Sequence, residues 1–311
     1  MKIGIVILNY LNYEDTIKCI NSLERQSFKN YQIVVIDNMS NNGSIEQLQK
    51  LYFSRDDIDI LQMPENIGFA KANNFGISYL KREKNIFDIL VINADTFFLD
   101  DHFLEKLVSL DYDDNCAMIG PSIIGSDGIN QNPYFPMSDN LLRINNLRKE
   151  VKKRIFKFRI FPMFIYGIVS PNNPFRLFII ISSSCLASVL KAINSESIYL
   201  DLENQSLHGA AIFFTRNYLK KYIGFFPETF LYTEEDYLAL LCDRIGMSQY
   251  YAPILEIQHK EGSSSLSASG QNAKRSEIRR LQRILHAIDT YENNLKTTKL
   301  SFINKFKEIK E

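Results

Sequence analysis

The sequence predicts an α/β protein built on a central, mostly parallel sheet. Strand-like and helix-like segments alternate through the first 95 residues. That alternation means βαβ units with right-handed crossovers. The strand segments include continuous apolar runs, the pattern of strands covered on both faces. Three of them stop in polar clusters: Asn9-Tyr10, Asp37-Asn38 and Asn93-Ala94-Asp95. Polar groups along the carboxyl edge of such a sheet form its ligand crevice.

Taken in order, Lys2–Leu8 reads as a strand and Glu14–Gln26 as a helix with Ile17, Ile20 and Leu23 on one stripe. Gln32–Ile36 is a second strand, broken off by the turn-rich run Asp37 to Ser44. A helix to Tyr52, the strand Ile58–Gln62, the helix Phe69–Lys81 and the strand Phe87–Ile92 follow. The third helix is expected to face Phe69, Ala72, Phe75 and Tyr79 inward. The pattern resumes with a strand at 209–214, a short helix Asn217–Tyr222 and the helix Glu234–Ile245, stopped by Gly246. The strand Gln249–Gln258 and the amphipathic helix Lys274–Glu292 follow, the helix turning Ile278, Leu281, Leu285 and Ile288 inward. Residues 139–200 interrupt this order as an insertion, and the Ser/Gly-rich stretch 263–271 reads as a mobile loop. The expected divisions are 1–138, 139–204, 205–270 and 271–311, with C-terminal amphipathic helices in the last.

The 311 residues are 45% hydrophobic and 23% charged, the makeup of a soluble globular chain. Thirty-six basic residues balance thirty-six acidic ones, which excludes a generally basic nucleic-acid binder. The balance is uneven: residues 148–159 carry +6, residues 274–311 carry +5 and the remainder −11. An acidic body with two basic patches is suited to meeting an anionic partner. The basic, aromatic-rich stretch followed by the apolar run 177–190 reads as an interfacial element attracted to anionic lipid, with a dimer interface or a lid as the competing readings. Leu300, Ile303 and Phe306 give the Lys-rich end the same character. The apolar run is only fourteen residues, short of the ~20 needed to span a bilayer. The opening MKIGIVILNY lacks the marks of a signal peptide. Cys19, Cys116, Cys185 and Cys242 have no metal-finger spacing and read as reduced, buried thiols.

The chain has no GxGxxG after its first strand, no GxxxxGK[ST] and no GxSxG. Dinucleotide dehydrogenases, P-loop NTPases and α/β-hydrolases lose their signatures. Carboxylate chemistry remains. Asp95 directly follows a buried strand, where a carboxylate can hold a hard divalent cation, Mg²⁺ or Mn²⁺, or simply cap a helix. His259 ends the last strand and would be a further ligand opposite it. Glu234, Glu235 and Asp236 open a helix, whose dipole stabilises each exposed charge by ~0.3–1 kcal/mol. Crowding and burial would instead raise their pKa values, as suits a general base. The aromatic run Phe225 to Tyr232 before them is expected to form a pocket wall.

These segments carry a resemblance. Ile7-Leu8-Asn9-Tyr10, Val34-Val35-Ile36-Asp37-Asn38 with Gly43-Ser44, and Glu65-Asn66-Ile67-Gly68-Phe69-Ala70-Lys71-Ala72-Asn73-Asn74 come first. Ile92-Asn93-Ala94-Asp95, Gly209-Ala210-Ala211, Phe230 to Asp236 and His259 follow. In that order they resemble family 2 inverting glycosyltransferases of the GT-A fold, nearest to bacterial rhamnosyltransferase-like enzymes. The resemblance covers roughly residues 3–128 and 205–262, and NxGFAxAxN is its most specific piece.

The resemblance implies a nucleotide-sugar donor, a divalent metal, and a glycan or lipid-linked acceptor in cell-surface polysaccharide assembly. It implies a cytoplasmic place at the inner face of the plasma membrane. Asp37 would read the nucleotide base, with Asn9, Tyr10 and Asn38 beside it. Asn66, Gly68, Asn73 and Asn93 would shape the donor pocket. Asp95 matches the last acid of the metal motif, with His259 as a further ligand. Glu235 falls at the catalytic base, flanked by Glu234 and Asp236 in a register open by one residue. The chain departs from the pattern with Asn93 for an Asp, Glu235 for the commoner Asp, and Leu11 for an Asn after the tyrosine. Two alternatives are a catalytically silent sugar-binding protein and a sugar nucleotidyltransferase. The second lacks its Gly-rich, basic phosphate loop here.

Overall fold

Residues 1–134, 141–160, 200–201, 205–260 and 273–307 are described by a computed structural model. The strands β1 (Ile3–Asn9), β2 (Tyr31–Asp37), β3 (Ile58–Gln62) and β4 (Ile89–Asn93) pair in parallel in the order β3-β2-β1-β4. Alternate residues of β1 serve two cores, because successive side chains of a strand point to opposite faces. Val6 packs with Val34, Ile36, Ile77 and Leu80; Ile5 and Ile7 pack with Ile20, Leu23 and Leu48. The first core lies under α3 (Phe69–Lys84), the second under α1 (Tyr13–Glu24) and α2 (Ser44–Tyr52). That explains why the strands read as unbroken apolar runs.

The inward face of α3 differs from expectation. Phe75 is 43% exposed, while Ala70, Ala72, Asn73, Gly76, Ile77 and Leu80 are buried. Gly76 is the cause: a Cβ there would lie 2.7 Å from Val6 Cγ1. Bringing the helix down on β1 at this bare position turns the neighbouring Phe75 outward.

Beyond Asp95, the chain forms β5 (Thr96–Phe97), α4 (Phe103–Ser109), β6 (Cys116–Gly125), α5 (Leu141–Ile160), β7 (Leu200–Asp201), β8 (Ala211–Phe214), α6 (Arg216–Leu219) and α7 (Glu234–Ile245). Then come β9 (Ser248–His259), α8 (Ala273–Leu295) and α9 (Lys299–Asn304). One sheet continues as β4-β8-β6-β9-β5, with β7 beside β9. β8 is antiparallel to β4 and β6, whereas β6 and β9 are parallel. The sequence pattern reveals nothing of β5, α4 or β6. In β6, Gly120 and Pro121 interrupt the apolar run, and its pairing with β9 shifts register between Pro121 and Ser122. A proline fits a strand where a bulge frees the ladder.

Two surface expectations change. Helix α5, in the insertion, buries Ile144, Val151 and Ile155, and Arg148 pairs with Asp289 and Glu292 of α8. Among the residues of the basic stretch whose side chains are described, Lys149, Lys152, Lys153 and Phe156 face outward. At the C-terminus, Phe302 and Phe306 are fully buried while Leu300 is exposed. That end docks on the body rather than presenting an apolar stripe. The start of the aromatic run before α7 also belongs to the core. Phe225 and Phe226 are fully buried, and Phe226 stacks on Tyr237 at 3.9 Å between ring centres.

Among the described residues, no helix is long and apolar enough to cross a membrane. Cys19, Cys116 and Cys242 are buried thiols outside any disulfide among the described residues. Cys185, the run 177–190 and the stretch 263–271 lie outside the described residues.

Candidate functional site

The register puts the polar strand ends on one edge. Asn9 pairs with Asp37, and Leu8 with Asn93. Asn9 Nδ2 donates to Asp37 Oδ2 at 2.6 Å, and its Oδ1 accepts from Thr16 Oγ1 at 2.8 Å. The Ser40 hydroxyl and amide donate to Asp37 at 2.6 and 3.0 Å. Asn9 and Asp37, both fully buried, thus brace the two loops that leave β1 and β2. Tyr10, next along, is half-buried.

Asn38 faces the NxG segment. Its Nδ2 donates to Asn66 Oδ1 at 3.0 Å and its Oδ1 accepts from Ile67 N at 3.1 Å. Gly68 closes this turn at φ 86 and ψ 175. Phe69 N then donates to Phe230 O at 2.8 Å. The first half of the chain is thereby clamped to the loop that carries the acids. Asn73 is buried, donating to Phe69 O at 3.1 Å, and its Oδ1 meets no partner among the described residues.

At the other end of the edge, β5 pairs Thr96 with His259. His259 Nε2 stands 3.4 Å from Asp95 Oδ1, the two side chains 10% and 14% exposed. Gln131 Oε1 meets the other ring nitrogen of His259 at 2.9 Å. Among the described residues, no group of three His, Cys, Asp or Glu comes together to hold an ion. Asp95 and His259 offer one carboxylate and one imidazole. That set fits a divalent cation whose remaining ligands are oxygens of a bound phosphate or water.

Asn93 leads to the acids. Its amide donates to Ala210 O at 2.9 Å, and the amide of the adjacent Gly209 donates to Glu235 Oε1 at 3.0 Å. The segments that carry Asp95 and Glu235, 140 positions apart in sequence, are thereby linked through one backbone junction. Glu234 and Asp236 are 3% and 8% exposed, whereas Glu235 is half-buried. Burial pushes both glutamates above the ordinary carboxyl range, and the Glu235 charge raises Glu234 further. Two consecutive left-handed residues, Tyr232 (φ 80) and Thr233 (φ 70), hold the turn into α7. Such conformations cost about 1–3 kcal/mol each and gather at functional sites. Arg283 stacks over Phe230 at 4.5 Å and helps to pin this turn.

The buried acids set a pH dependence. The unfolded chain releases the Glu234 proton near the ordinary value, ~4.3, while the folded state still holds it. Folding then binds the extra proton, so this contribution is complete below that pH and is lost as pH rises through the raised folded value. The thermal midpoint is expected to fall from about pH 5 to about pH 8, and to fall less in Glu234→Gln. Equal slopes in the two proteins would count against buried, protonated Glu234.

Two neighbours carry no sequence signal of their own. His208 sits half-buried between Tyr134 and His259, with ring centres 6.4 and 5.8 Å away. Burial first, then His259, pushes its imidazole down to about 3. Tyr134 joins the site by a backbone bridge to Ser206. Burial, then Asp236 and the two glutamates, pushes its phenol well above the ordinary range. The adjacent Gly209-Ala210-Ala211 was the only pointer to His208.

A stretch of 133 residues is 30% identical to the Low-salt glycan biosynthesis hexosyltransferase Agl10 of Haloferax volcanii. It amounts to 42% of this chain and 40% of that relative. Solved structures similar to the chain include S. aureus TarS 1-349, with 11% identity and a TM-score of 0.48 over 96% of this chain and 76% of that one. Another is the mannosyltransferase PcManGT from Pyrobaculum calidifontis in complex with GDP-Man and Mn²⁺, with 12% identity and a TM-score of 0.49 over 98% and 72%. The family model described as Glycosyl transferase family 2 matches residues 4–168, reaching into the stretch that reads as an insertion. Because that match takes in Asn9, Asp37, Gly68 and Asp95 and spans just over half of the 311 residues, the chain belongs to glycosyl transferase family 2.

Proposed function

We propose that the protein is an inverting glycosyltransferase that moves a hexosyl group from a nucleoside-diphosphate sugar to a glycan hydroxyl. One observation carries this reading. The Asp95–His259 pair and Glu235 flank the same Asn93–Ala210 junction at the carboxyl edge of the sheet. Family membership and the hexosyltransferase named among the relatives support the reaction class.

The donor diphosphate lies beside Asp95 and His259, with Asn9, Tyr10, Asp37, Asn38, Asn66, Gly68, Asn73 and Asn93 framing the nucleotide and sugar. Asp95 and His259 would hold a divalent cation, Mg²⁺ or Mn²⁺, which would supply Lewis-acid neutralisation to the departing diphosphate. Glu235 takes the proton of the acceptor hydroxyl as that oxygen bonds to the anomeric carbon. The bond to the diphosphate breaks on the opposite side, so the configuration inverts. The raised affinity of half-buried Glu235 for a proton suits this step. Glu234 and Asp236 flank it in the first turn of α7.

A panel of nucleotide sugars, titrated with and without Mn²⁺ or Mg²⁺, tests the reading. Wild-type protein is expected to bind one donor in a cation-dependent way and to transfer its sugar. Asp95→Ala is expected to lose the cation dependence of binding as well as turnover. Binding without turnover would favour a silent sugar-binding protein; no binding at all would remove the proposal.

A lipid anchor on the acceptor belongs to the same proposal. Lys149, Lys152, Lys153 and Phe156 form an exposed stripe of α5 at helical spacing, and each cation near an anionic membrane contributes about 1 kcal/mol. Charge reversal at Lys152 and Lys153 is expected to reduce pelleting with anionic vesicles. Unchanged pelleting would leave a soluble glycan as the acceptor.

A further inference from the structure

We propose that His208 is a positioning residue: its Nδ1 holds the 208–210 turn in the shape that aims the Gly209 amide at Glu235 and the Ala210 carbonyl at Asn93. The Ala210 amide donates to His208 Nδ1 at 3.1 Å, so the ring bonds its own backbone two residues on. The backbone amide of His208 donates to Asn132 Oδ1 at 3.0 Å, which ties down the start of the turn. Between these fixed points the Gly209 amide meets Glu235 Oε1, and Ala210 O meets Asn93 N. Space enforces the fit, since a Cβ on Gly209 would lie 2.4 Å from Glu235 Oε1. Three consecutive residues thus join the donor edge to the acid; Asn132 ties the start of the turn and the His208 ring ties its end.

The lock has a chemical consequence. An amide aimed at a carboxylate favours its charged form. Without the lock the Gly209 amide drifts, and Glu235 keeps only the backbone amide at its own helix start against the cost of burial. Burial then disfavours a new negative charge with one donor fewer to offset it. A base that ionises later works only at higher pH.

The test compares wild type with His208→Ala and His208→Asn. Asparagine Oδ1 stands in for Nδ1 as the acceptor, whereas alanine offers none. In His208→Ala the acidic limb of kcat/KM is expected to move up by about one to two pH units, the size of one charge-assisted hydrogen bond. His208→Asn is expected to restore most of the shift. The Gly209 amide resonance gives a second readout without turnover: it should titrate with Glu235 in wild type and His208→Asn, and lose that titration in His208→Ala. This proposal rests on the transferase reading only in its kinetic arm. An inactive wild type whose Gly209 amide still titrates would sink that reading and leave the lock standing. An unshifted profile and titration in folded His208→Ala, or equal losses in Ala and Asn, would overturn it.

Discussion

Glu235→Gln is expected to lower sugar transfer by about 10²–10⁴-fold, the share of a well-placed general base, while donor binding stays near wild type. The substitution is nearly silent structurally. Gln retains the Oε1 that accepts from the Gly209 amide, and the half-buried position leaves room for the amide group. Only the ability to take a proton is lost. Glu234→Gln and Asp236→Asn serve as comparators, because both side chains are buried and face away from an incoming hydroxyl in this reading. Single-turnover rates with the donor found by screening provide the measurement. Transfer within a few-fold of wild type in Glu235→Gln, with a large loss in either comparator, would reassign the base.

Gly68→Ala carries the largest expected loss of stability. At φ 86 and ψ 175, Gly68 occupies a region open essentially to glycine alone. An added Cβ would lie 2.3 Å from Phe230 O. Backbone stands on both sides of that contact, so no side chain can swing away to relieve it. We expect at least about 3 kcal/mol of destabilisation, together with loss of transfer as the Phe230 loop moves Glu235. Gly43→Ala is the control. Its φ is also positive, at 80, but nothing lies within 4 Å of the added carbon, so it should cost about 1–2 kcal/mol. Chemical denaturation of both variants decides: equal losses would mean that the Gly68–Phe230 contact is not the cause.

Where the pattern was local, the sequence was readable. β1 and β2 are unbroken apolar runs, and α7 begins on acids and ends on Gly246. Their strand-end residues were therefore findable one by one. β6 was not, because Gly120 and Pro121 sit where a strand signal should continue and only β8 and β9 make that stretch a strand. Hydrophobic size also misled: Phe75 looks like core and Gly76 does not, yet contact with Val6 reverses the two. His208 and Tyr134 gain their roles from the meeting of β4 with β8 and of residue 134 with residue 206. Such long-range pairings leave no periodic trace. Leu11 is a subtler case. It stands at φ 62, a backbone shape that Asn tolerates better than Leu, which accounts for the Asn that the family pattern favours there.

The placement of β4 between β1 and β8 has a consequence for how this polypeptide can be cut. A fragment ending before residue 205 would keep β1 through β4 but bare the hydrogen-bonding rim of β4 that β8 now covers. Naked rims of that kind recruit other molecules and clump. Donor-side and acid-side pieces are thus sewn along a shared seam, and expression of either alone should yield aggregate rather than a working half.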